Sequence, residues 1–76
     1  MNTVVSFDWW HKSITVAFTD YNPAHTISMG NAVTIKESKR RMRRELRRAT
    51  GLELSNLKYW RTGGSVDYYC ANRKGE

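Results

Sequence analysis

The sequence predicts a small α+β domain: an antiparallel sheet of order β-β-β-α-β-β with one arginine-rich helix packed on one face. Three observations carry that prediction. The first twenty residues alternate apolar and polar side chains, Thr34 to Gly51 has helical spacing with both helix-end signals, and two further alternating runs flank Gly63-Gly64. At 76 residues the chain makes one domain, 1–76, of a size that buries roughly 60% of its unfolded surface. An apolar fraction of 39%, with three Trp and four Tyr, suffices for one thin core because large rings supply burial that a short chain otherwise lacks.

Val5, Phe7 and Trp9 share one face of a first strand, and Ile14, Val16 and Phe18 one face of the next. A two-residue loop at His11-Lys12 sets Trp9 opposite Ile14, Phe7 opposite Val16 and Val5 opposite Phe18, so register and pattern agree. His-Lys is poor chemistry for a primed turn, which leaves room for a longer loop. Trp9 then faces the core and Trp10 points outward. Asp20-Tyr-Asn-Pro23 reads as a turn, because a residue before proline is pushed out of the helical region. A third strand follows from Thr26 to Met29, with Gly30-Asn31 as a bulge or tight turn.

Thr34-Ile-Lys-Glu37 has the spacing of a capping box. The helix it opens runs to about Thr50 and stops at Gly51, a residue suited to the left-handed position past a helix end. At about 100° per residue, Ile35, Met42, Leu46 and Ala49 form one narrow apolar stripe. Lys36 to Arg48 holds eight of the thirteen basic residues and two of the seven acidic ones, and with them the whole net charge of +6. Within it, Lys36, Arg40, Arg43 and Arg47 form one stripe with no acid among them. Arg41, Arg44 and Arg48 lie within reach of Glu37 or Glu45 and are half-neutralised.

The last hairpin is expected over Leu57–Arg61 and Val66–Ala71, turning on Gly63-Gly64. That register puts Leu57, Tyr59 and Arg61 on one face with Cys70, Tyr68 and Val66. Lys58 and Trp60 fall on the other with Tyr69 and Asp67. Cys70 is then a small core hydrophobe, whereas Trp60 and Tyr69 are candidate outward-facing rings.

A concentrated rod of arginine on a neutral scaffold points to a polyanion or an acidic surface. Guanidinium suits nucleic acid better than ammonium does, since it bonds phosphate and guanine edges bidentately and is weakly hydrated. The expected function is a non-enzymatic nucleic-acid-binding module that lays the helix on a DNA or RNA backbone or groove. Lys36, Lys39, Arg40, Arg43, Arg44, Arg47 and Arg48 are its binding residues, and Trp10, Trp60 and Tyr69 its candidate aromatic contacts. Over residues 36–48 alone, the composition is similar to the arginine-rich peptides with which viral proteins hold RNA stem-loops. No helix-turn-helix, zinc-finger, RRM or KH pattern is present.

The alternative is a small inhibitor or adaptor that docks the helix, or an exposed hairpin face, on an acidic protein surface. The aromatics discriminate the two: rings flanking the helix favour base stacking, and one exposed patch away from it favours a protein interface. A homodimer through a sheet edge is a further expectation. No enzyme, cofactor or metal site is expected. His11 and His25 lack ligand spacing, Asp8, Asp20 and Asp67 are scattered, and the glycines are explained by turns. No apolar run approaches the length of a membrane span, and the helix's apolar stripe is too thin for surface insertion. The N-terminus lacks the basic and apolar regions of a signal peptide. Because Cys70 is alone, a reducing, cytoplasmic setting is expected.

Overall fold

The computed structural model describes residues 3–18 and 24–74. Its elements are β1 (Thr3–Asp8), β2 (Ser13–Phe18), β3 (His25–Ser28), α1 (Ile35–Thr50), β4 (Leu54–Gly63) and β5 (Val66–Arg73). The five strands form one antiparallel sheet in the order β3-β2-β1-β5-β4. The first strand is therefore central, and the α+β order expected from the sequence is the one observed. The turn expected at Asp20–Pro23 lies outside the described residues.

The β1–β2 connection is Trp9–Lys12, four residues where two were expected. Asp8 Oδ1 accepts the backbone N–H groups of Trp10 (3.1 Å) and His11 (3.0 Å), and Lys12 closes the loop at φ 53°. These bonds, that from the His11 backbone first, hold the Asp8 carboxyl below its usual range. Phe7 consequently pairs with Ile14, Val5 with Val16 and Thr3 with Phe18. The slip from the expected register is two residues, and an even slip keeps every side chain on its face.

Capping chemistry sets both ends of α1. Thr34 is extended, and its hydroxyl accepts from the Glu37 N–H (3.2 Å) and donates to Glu37 Oε1 (2.8 Å). The second bond holds the Glu37 carboxyl below its ordinary value. At the other end Gly51 takes φ 78° and returns its N–H to the Arg47 carbonyl (2.8 Å). The seam against the sheet is Ser38, Met42 and Leu46, with Ile35 half-buried. Ala49, expected on that seam, is exposed beside Thr26, Ile27 and Ser28 of the edge strand. Leu52, beyond the helix end, packs on the core in its place.

The core lies between α1 and one face of the sheet. It joins Val5, Phe7, Ile14, Val16, Phe18 and Ile27 to Met29, Met42, Leu46, Leu54, Tyr69 and Ala71. The opposite face carries Val4, Ser6, Thr15, Ala17, Tyr68 and Cys70, all half-buried, and no described element covers it. Small and polar side chains there are compatible with a sheet wetted on one side. Cys70 sits on this open face, paired with Val4 and Lys58. The expectation of a core cysteine is thus corrected.

The correction originates in β5, whose faces are set by its pairing with β1: Val4 opposes Cys70 and Val5 opposes Tyr69. The hairpin turns at Gly64-Ser65, with Gly64 at φ 62°, one residue later than expected, and its strands extend further. Near the turn Arg61 pairs with Tyr68 where Val66 was expected, and further on Tyr59 pairs with Tyr69 and Lys58 with Cys70. Trp60 is the extra residue of a bulge, and a second irregularity spans Ser55 to Lys58, where Asn56 takes φ 54°. One inserted residue reverses the faces of everything beyond it. Beyond the bulge Tyr59 therefore joins Tyr69 on the helix face and Lys58 joins Cys70 on the other, whereas the β5 residues keep the faces that pairing with β1 gives them.

Candidate nucleic-acid interface

The cations of α1 separate by flank. On the β3 side, the Arg41 Nε–H donates to the Ser28 carbonyl (2.9 Å), at the edge of the sheet. Its guanidinium would lie 2.6 Å from any Cβ added at Gly30, whose φ is +58°. The backbone conformation favours glycine there, and a larger residue would also have to displace the flexible end of Arg41. Arg44 and Arg48 each approach Glu45 at 3.8 Å, so the half-neutralised set is observed as read for those two. Arg41 spends its charge on a carbonyl instead.

On the opposite flank Lys39 is half-buried, with Nζ 4.4 Å from the centroid of the Tyr69 ring. Lys36 and Arg43 stand three residues before it and four after, so at 100° per residue they share its flank. Arg40 crowns the helix near enough to Glu37 to contribute to the lowering of that carboxyl. Lys36, Arg40 and Arg43 are exposed and make no ion pair or side-chain hydrogen bond among the described residues. Arg47, the fourth member of the expected stripe, differs. Its Nη1 lies 3.6 Å from Glu53, whose other oxygen is 3.9 Å from Lys74. Helical spacing could not show this, because Glu53 lies beyond the helix on the connection to β4.

The three candidate rings go to three places. Trp10 is 79% exposed on the β1–β2 loop. Trp60, 54% exposed, lies edge-on to Tyr68 at 6.2 Å with the Arg61 guanidinium over both rings. Tyr69 is not an outward ring at all: it is 8% exposed, edge-on to Phe7 at 5.4 Å. Burial raises its phenol above the ordinary value, with the Asp67 charge adding to the effect. The rings form neither one patch nor a row along the helix.

Tyr59 is the aromatic that sequence reasoning missed. It is 59% exposed on the helix side of β4 and edge-on to Tyr69 at 5.6 Å. Its hydroxyl is 2.6 Å from Thr62 Oγ1, which donates to Asp67 Oδ1 at 2.6 Å. The other Asp67 oxygen accepts from Trp9 Nε1 at 2.8 Å. No residue type around Trp60 signals the bulge that sets the side of Tyr59; Asn56, at φ 54°, marks only the second irregularity.

Among the described residues no three His, Cys, Asp or Glu side chains are grouped to hold a metal ion, and no helix is long and apolar enough to cross a membrane. In comparisons with known proteins, no family model, curated protein or solved structure matches the chain.

Proposed function

We propose that the protein binds nucleic acid through the flank of α1 that bears Lys36, Lys39, Arg40 and Arg43. The observation that supports this most is that Lys36, Arg40 and Arg43 make no ion pair among the described residues. Like charges on adjacent helical turns repel by a few tenths of a kcal/mol per pair, a cost that a polyphosphate ligand offsets by releasing its condensed counterions. Arg47, Arg44 and Arg48 flank this surface with their charges partly engaged. No base-reading element is evident, so the contacts assigned are to the backbone.

The test is a fluorescence-anisotropy titration with duplex DNA, single-stranded DNA and stem-loop RNA at two salt concentrations. Changing Lys36, Arg40 and Arg43 together to Gln should reduce the log–log salt slope on duplex DNA by about 2.7, at 0.9 per phosphate contact. The thermal midpoint should stay the same or rise. Absence of binding by the unaltered protein at low salt sinks the proposal.

The second reading, an inhibitor or adaptor on an acidic protein surface, draws on Trp10 and Trp60. Both are exposed, and Trp60 lies against Tyr68 on the face of the sheet opposite the helix, where phosphate binding to the helix makes no use of it. Pull-down of an acidic protein that is lost with Trp60→Ala, in the absence of nucleic-acid binding, would favour it. For self-association through a sheet edge, β4 offers an edge interrupted by two irregularities and flanked by Lys58 and Arg61, and β3 is four residues long. Both are features that discourage pairing.

A further inference from the structure

We infer that Tyr59 is a stacking surface for an unpaired base, and hence that the ligand of the helix is single-stranded or looped nucleic acid; this rests on the nucleic-acid reading above. The bulge at Trp60 places the Tyr59 ring on the helix face of the edge strand, where it stays largely exposed. Exposed rings on strands normally turn freely. This one is fixed by its edge-on contact with Tyr69 and by the Thr62–Asp67–Trp9 chain of hydrogen bonds behind its hydroxyl.

Tyr69 connects that ring to the cations. Its ring meets Tyr59 on one side and the Lys39 ammonium on another, and Lys36 and Arg43 lie one helical turn to either side of Lys39. A fixed aromatic ring therefore stands one ring away from Lys39, with Tyr69 in contact with both. Behind the ring, Asp67 is engaged by Trp9 and Thr62, while Glu53 lies with Arg47 and Lys74. Positive charge matches phosphate, and the ring matches a base face. In a duplex each base is already stacked on its neighbours, so only an unpaired base can use a ring beside its own backbone.

The competing explanation is that Tyr59 merely shields Tyr69 from water. Tyr59→Leu separates the two, since leucine still covers Tyr69 but offers no π face. Tyr59→Trp keeps a π face, and Trp60→Leu removes a comparably exposed ring from the open side of the sheet. The probes are single strands of about ten nucleotides, oligo(dT) and oligo(U), and a DNA duplex of equal length, titrated by anisotropy at one salt concentration. The unaltered protein should prefer the single strands. Tyr59→Leu should weaken single-strand binding about tenfold and leave duplex binding unchanged. Tyr59→Trp and Trp60→Leu should retain single-strand affinity.

Equal effects of Tyr59→Leu on single strand and duplex, or no effect, would overturn the stacking role and leave the helix reading standing. Loss of single-strand affinity in Tyr59→Trp, with urea unfolding unchanged, would overturn it as well. Failure of the unaltered protein to bind any probe at low salt overturns both.

Discussion

Lys39 Nζ lies 4.4 Å from the centre of the Tyr69 ring, so a half-buried cation of the basic helix rests on a core aromatic of β5. Burial keeps the Tyr69 phenol protonated to higher pH than usual, and the neutral ring presents its negative face to the ammonium. Lys39→Met keeps the apolar stem and removes the charge. It should lower stability by about 0.5–1 kcal/mol in urea unfolding, an effect absent when Tyr69 is already Leu. Equal losses in both backgrounds would show that the contact contributes packing alone.

Glu53 holds Arg47 and Lys74 at 3.6 and 3.9 Å, and these are cations that a phosphate backbone could otherwise claim. Glu53→Gln should release one or both. The salt slope on duplex DNA should then steepen by about 0.9 per added contact, with stability changed by less than about 1 kcal/mol because both pairs are exposed. An unchanged slope would place Arg47 and Lys74 outside the footprint.

Ser38 and Leu46 lie on the same buried seam and should respond in opposite directions. Leu46→Ala leaves a cavity against the sheet and should cost about 2–5 kcal/mol. The Ser38 hydroxyl is fully buried with no hydrogen-bond partner among the described residues. Ser38→Ala should leave stability unchanged or raise it by about 1 kcal/mol. Thermal unfolding of the two variants reads both, and a loss in Ser38→Ala would mean that the hydroxyl has a partner.

Legibility in the sequence followed the parity of the error. In β1 and β2 the expected loop was too short by two residues, yet Val5, Phe7, Ile14, Val16 and Phe18 all kept their faces because side chains alternate with period two. In β5 the expected core face was off by one residue, because pairing with β1 turns Tyr69 inward and Cys70 outward, while in β4 the extra residue Trp60 keeps Tyr59 on the helix side and leaves Arg61 on the other. Composition carries no signal for that insertion. The helix was readable from Thr34 to Gly51 because capping is local chemistry. The pairing of Arg47 was not, since its partner follows the helix and is reached only through the fold. Lys36, Arg40 and Arg43 were legible because exposure on a helix follows from spacing alone.

The strand order β3-β2-β1-β5-β4 has a consequence for synthesis. The strand made first is the centre of the sheet, and its second neighbour is the strand made last of the five. Until Val66–Arg73 has left the ribosome, β1 has one open edge and Lys39 has no ring beneath it. Long-range pairing of this kind is slow relative to local helix formation. The nascent chain would therefore carry its concentrated positive charge on a segment that can become helical before the sheet beneath it is complete.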